Sequence, residues 1–143
     1  MIRSKQKIIN NWLYAFAREV DKDFLKAHVT SACNFLWHIF SFEKVECLKE
    51  DAARAAFDSL VYEKAIRFHD GYGGQISDVT ETGKITAASL DKENRKWGAR
   101  DVYIVAEDFS WTYVKTHETG WCGPYFCRRK PENWEINSKE ENI

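Results

Sequence analysis

Two prolines and seven glycines in 143 residues are too few for a disordered or fibrous chain. No run of about 18 apolar residues occurs, so no membrane span is expected. No charge of either sign dominates: 21 Lys and Arg against 22 Asp and Glu leave a formal net charge of −1. That balance offers no broad basic field to hold a nucleic-acid backbone by counterion release. Nucleic acid is therefore not an expected partner, although a local basic patch stays open. The basic start, Met1 to Lys7, leads into a stretch broken by Asn10, Asn11, Arg18 and Glu19. Such a stretch is not a signal-peptide core, and the expected setting is the cytoplasm. Four cysteines in that setting are expected as thiols rather than disulfides. The tight Cys-x-x-Cys pairs of zinc ribbons are absent, so neither a metal nor another cofactor is expected.

What the chain does hold is aromatic: six Trp, six Tyr and nine Phe. At this length a chain buries roughly 68–70% of its unfolded surface, enough for a core without staples. One domain over residues 1–131 is expected, with a polar, frayed tail at 132–143 against which Trp134 docks.

Ile9, Leu13, Phe16 and Val20 recur at helical spacing and predict a helix over residues 5–20. Residues 21–28 extend it or start another. Asn34 to Phe42 is short and aromatic, and reads as a central strand covered on both faces. Alternation would put Phe35, Trp37 and Ile39 on one side, and Leu36, His38 and Phe40 on the other. Glu50 to Leu60 is alanine-rich and predicts a short helix. Tyr62 to Asp70 resembles a strand ending at the turn Gly71-Tyr72-Gly73-Gly74. Residues 75–84 are polar and expected as loop, and Ile85 to Leu90 as one or two helical turns.

Asp101 to Ala106 is β-branched and aromatic, hence a strand. Phe109 to Thr116 alternates, with Phe109, Trp111 and Tyr113 on one face and Ser110, Thr112, Val114 and Thr116 on the other. Glu107-Asp108 lies between them without the glycine of a tight hairpin, so a longer or bulged turn is expected. The implied class is α+β: a single layer of mostly antiparallel sheet packed against helices, with a C-terminal aromatic β-hairpin.

Candidate chemistry gathers after the hairpin, where functional groups often collect. Cys122 could act as a thiol nucleophile, with His117 as its base and Glu118 orienting the imidazole. The plainer alternative makes Cys122 a small buried hydrophobe. His117, Cys122 and Cys127, with Cys33, His38 or Cys47, could form a metal site, but their spacing fits no usual zinc pattern. Trp121-Cys122-Gly123-Pro124 matches the start of a thioredoxin redox motif. Here Tyr125 stands where the second cysteine belongs, and Pro131 breaks the segment where that motif needs a long helix. Trp111, Tyr113, Trp121 and Tyr125 beside Lys115, Arg128, Arg129 and Lys130 would suit an anionic planar ligand. The same aromatics could simply be core.

Several blocks together resemble a known family: Phe35-Leu36-Trp37-His38-Ile39-Phe40-Ser41, Cys47-Leu48, Ala52-x-x-Ala55 with Phe57, and Asp101-Val102-Tyr103-Ile104-Val105. To these are added Trp111-Thr112-Tyr113-Val114-x-Thr116-His117-Glu118 and Cys122-Gly123-Pro124-Tyr125-Phe126. The chain resembles, over roughly residues 8 to 130, the small uncharacterised bacterial proteins of domain-of-unknown-function family 4275. Residues 71–100 fit it poorly. The resemblance implies a cytoplasmic bacterial setting and no established reaction. It marks His38, Thr116, His117, Glu118, Cys122 and Tyr125 as motif positions.

The function expected is a non-enzymatic binding domain using the 109–127 hairpin and loop. Its partner would be a protein, as in immunity or antidefence, or a small anionic, nucleotide-like ligand. The ligand-binding set would be His38, Trp111, Tyr113, Thr116, His117, Glu118, Trp121, Tyr125 and Arg128. The alternative is a small thiol-dependent hydrolase or transferase with Cys122, His117 and Glu118 as catalytic residues.

Overall fold

A computed structural model describes residues 4–30, 35–69, 76–97, 101–117 and 121–130. Within them lie five helices and six strands. Helix α1, Lys5–Ala17, starts at Ser4, whose hydroxyl accepts the Lys7 backbone N–H at 3.1 Å. It buries Ile8, Trp12, Phe16 and Ala17, one stripe at four-residue spacing. Helix α2, Lys22–His28, is a separate element, capped by the Asp21 carboxylate on the Phe24 N–H at 3.2 Å.

Residues 35–42 are not the central strand that their aromatic run predicts. They form a turn and the one-turn helix α3, His38–Ser41. Leu36, Trp37, Ile39 and Phe40 are all buried, which is an i, i+3, i+4 face and not an alternation. A short apolar run satisfies both periods, and here packing on the sheet selects the helical one. The Trp37 backbone N–H donates to the Tyr103 hydroxyl at 3.1 Å and ties this turn to the sheet.

Strand β1, Leu48–Lys49, leads directly into helix α4, Glu50–Asp58. Strands β2, Lys64–His69, and β3, Ser77–Thr80, come next. The loop expected at 75–84 thus contains a strand. It lies at the sheet's edge and buries only Val79, so its sequence is polar. Helix α5, Ala87–Trp97, is longer than the expected one or two turns. The glycine turn at 71–74 and the tail at 132–143 lie outside the described residues.

Strands β4, Val102–Ala106, β5, Trp111–Lys115, and β6, Tyr125–Arg128, complete a six-stranded sheet of order β1-β6-β5-β4-β2-β3. Every pair is antiparallel. The class is therefore α+β, as the residue pattern predicts. The β4–β5 turn spans residues 107–110, longer than a tight hairpin, and Phe109 adopts a left-handed φ of 59°. That conformation sends Phe109 to the face opposite Trp111 and Tyr113, so the three do not share a side.

Both faces of the sheet are covered. Helices α1 and α3 pack on Phe68, Tyr103, Val105, Val114 and Tyr125. Helices α4 and α5 pack on Val102, Ile104, Trp111, Tyr113 and Phe126. The strict alternation of these sets along each strand is the pleat of the sheet. The indole N–H of Trp12 donates to Thr112 Oγ1 at 2.9 Å, and that hydroxyl donates to the Ile104 carbonyl at 2.9 Å. No helix among the described residues is long and apolar enough to cross a membrane.

Candidate functional site

The antiparallel register pairs Val102 with Lys115. The residue before β4 and those after β5 therefore meet at one end of the sheet. There the buried carboxylate of Asp101 accepts twice through Oδ1, from the His117 backbone N–H at 2.6 Å and from its Nδ1 at 2.8 Å. A carboxylate oxygen only accepts, so Nδ1 carries the proton and Nε2 is left as the acceptor nitrogen in the neutral ring. The Asp101 carbonyl also accepts from His69 Nδ1 at 3.0 Å.

Aromatic rings line the same end. His117 lies against Phe35 and Trp37, with ring centroids 5.5 and 5.7 Å away. His38 touches the same two rings at 5.2 and 4.6 Å, and its Nδ1 donates to the His28 carbonyl at 2.8 Å. The His28 ring lies 6.5 Å from that of His38. All four histidines of the chain are thus gathered at one end of the sheet.

The loop leading to β6 is tied back here. Thr116 is fully buried and its hydroxyl donates to the Cys122 carbonyl. A Cβ on Gly123 would meet the Tyr125 ring at 3.1 Å and Thr116 at 3.3 Å, and its φ of 81° also favours glycine. Cys122 is half-buried against the α1–α3 layer. Trp121 is 90% exposed, whereas Tyr125 is buried against Phe40, 5.5 Å between centroids.

The structure thus brings His38, Thr116 and His117 to one end, with the Trp121-Cys122 loop fastened to Thr116. The carboxylate on His117 is Asp101; Glu118 lies outside the described residues. Trp111 and Tyr113 are core residues on the other face, packed against Phe57. Arg128 pairs with Trp111 at the start of β5, which is the opposite end of the sheet from His117.

Arg128 lines a cleft of about 120 Å³ between the end of α1, residues 44–46 and β6. Its cations are Arg18, Lys44 and Lys130, set against Glu19 and Glu46, whereas the Arg128 guanidinium lies over the Phe126 ring on the α4–α5 face, 5.2 Å from its centroid. Tyr14 and Phe16 supply aromatic wall. Arg18 donates to the Tyr14 hydroxyl at 3.0 Å, and Lys130 pairs with Glu19 at 3.1 Å. Beside the cleft, burial pushes the Cys127 thiol up to about 12 and the Cys47 thiol up to about 11. Both stay protonated, which makes neither a nucleophile nor a ready metal ligand at neutral pH. Among the described residues no three His, Cys, Asp or Glu side chains are placed to hold a metal ion.

Sequence reasoning missed Asp101, which reads as the first residue of a strand. Continuing the hairpin register outward would have set it opposite Thr116 and next to His117. It also missed Arg18 and Lys44, which reach the cleft only through tertiary packing.

The chain matches the family described as Domain of unknown function (DUF4275) over residues 5–126, and it belongs to that family. No curated protein and no solved structure matches it.

Proposed function

We propose that this family member is a non-enzymatic, cytoplasmic binding domain for a small anionic ligand held in the Arg128 cleft. What carries the reading is the gathering of three cations, Arg18, Lys44 and Lys130, around one cleft in a chain of net charge −1. Two carboxylates offset part of that charge, and a net positive patch with aromatic wall remains. Guanidinium and ammonium groups suit phosphate or carboxylate oxygens. The cleft is small, so it would take one anionic group, with the rest of a nucleotide-like ligand lying outside. The three described cysteines carry free thiols, in keeping with a reducing compartment.

Isothermal titration with ATP, AMP and pyrophosphate tests the reading. Saturable binding is expected that weakens with salt and drops roughly tenfold or more, about 1.4 kcal/mol, in a Lys44→Ala, Lys130→Ala variant. Silence with all three probes at millimolar concentration, or binding indifferent to that variant, would refute it.

The thiol alternative keeps one supporting observation, the imidazole of His117 held by a buried carboxylate. It requires that Cys122 outpace Cys47 and Cys127 in iodoacetamide labelling of the folded protein at neutral pH, and that His117→Ala slow it. Labelling of Cys122 that is slow and unmoved by His117→Ala would sink the alternative.

A further inference from the structure

The α4–α5 face of the sheet encloses a second charged cluster, on the side away from the Arg128 cleft. Tyr113 and Lys115 alternate on β5 and so point to the same face. Lys115 is only 1% exposed, rare for an ammonium group. Asp91 from α5 stands 3.7 Å from Lys115 Nζ through Oδ1, and 3.4 Å from Arg54 Nε of α4 through Oδ2. Lys115 Nζ also lies 3.4 Å from the Thr116 carbonyl.

Arg54 Nη1 donates outward to Asp51 Oδ1 at 2.8 Å, but on its inner side the guanidinium, Asp91 and Tyr113 converge without a hydrogen bond. Arg54 Nε, Asp91 Oδ1 and the Tyr113 hydroxyl are all buried and have no hydrogen-bond partner. A purely structural ion network would draw its members into hydrogen-bonding range, because a buried unpaired polar group is costly. Tyr113 is fully buried, and its ring is stacked on Phe57 at 4.2 Å and 11°, which fixes where the hydroxyl points. Burial, and then the Asp91 carboxylate, hold that hydroxyl well above the usual tyrosine range, so it remains an O–H donor. The Arg54 and Asp91 side chains are 26% and 27% exposed, so the buried cluster lies just beneath the surface between the two helices. With Asp51 counted, two cations stand against two carboxylates.

We infer that Arg54, Tyr113 and Lys115 form a binding site for a small oxyanion, a carboxylate or a phosphate, between α4, α5 and β5. Donors of all three kinds converge on it: guanidinium, phenol and ammonium. Asp91 holds the two cations in position and accepts from a hydroxyl on the ligand or from water. This site is separate from the Arg128 cleft, which lies on the other side of the sheet beside α1.

The test is thermal unfolding and isothermal titration of the full chain with sodium phosphate and sodium acetate, at ionic strength matched with sodium chloride. A saturable rise in Tm with one of the two is expected, and the active probe identifies the class. Lys115→Met should abolish it. Tyr113→Phe, which keeps the ring stack, should weaken it roughly tenfold, the effect of losing one hydrogen bond to a charged group. The Lys44→Ala, Lys130→Ala variant should leave it intact. No saturable effect from either probe would overturn the inference. So would a response lost in the Lys44, Lys130 variant and kept in Tyr113→Phe.

Discussion

Tyr103 and Tyr113 sit on adjacent strands of one sheet, both fully buried, yet their hydroxyls meet different surroundings. On the α1–α3 face, the Tyr103 hydroxyl takes the Trp37 backbone N–H, and Thr112 both receives the Trp12 indole and donates to Ile104. The Trp37 indole N–H is that face's one unpaired buried side-chain group among the described residues. On the α4–α5 face, Tyr62 and Tyr113 hydroxyls, Arg54 Nε and Asp91 Oδ1 all lack a hydrogen-bond partner. One layer is a finished aromatic core whose polar atoms lock elements together. The other stores polar groups at a place where a ligand can complete them. The two layers share the same strands, so the difference lies in which alternate residue a strand offers to each side.

Single-atom changes on β5 separate the two layers most sharply. Thr112→Val is nearly isosteric and strands the buried Trp12 N–H, so it should cost about 1–3 kcal/mol in urea unfolding. Tyr113→Phe removes a hydroxyl that already lacks a partner. It should leave stability unchanged or raise it by up to about 1 kcal/mol in the absence of ligand. Equal losses from both variants would erase the contrast.

The alkaline limb gives the smallest effect. Burial raises the thiols of Cys127 to about 12 and Cys47 to about 11, both beside the α1–α3 layer. In the unfolded chain these thiols ionise near the ordinary value of 9.0, so unfolding releases protons above that pH. The stability they contribute is full below about pH 9 and falls as pH climbs toward 11–12. Urea midpoints tracked from pH 8 upward should decline less steeply in Cys127→Ala than in the parent chain. An unchanged slope would move the alkaline weakness to the other face, where the buried Tyr113 hydroxyl is shifted in the same direction.

Much of the fold is readable wherever a residue pattern meets a single period. The stripe of α1, the alanines of α4 and the alternation of β4 and β5 each point to one structure. Residues 35–42 defeat such reading because a dense apolar run fits a strand and a helical turn alike, and only the docking of Trp37 onto Tyr103 chooses. Strand β3 escapes because an edge strand with one buried residue looks like loop. Helix α5 is under-read because Asp91 to Lys96 carries charge where a stripe would show. His117 is legible in its motif, but Asp101 and Lys115 look like ordinary polar strand ends. Their burial is decided by helices that arrive from elsewhere in the chain.

The bond from Trp12 to Thr112 joins residues one hundred positions apart. On a ribosome adding about 5–20 residues each second, α1 emerges roughly 5–20 s before its acceptor exists. For that interval its Ile8, Trp12 and Phe16 stripe has no sheet to cover it. The newborn chain is therefore most exposed to misassociation at its beginning, and that danger ends only when β5 clears the exit tunnel.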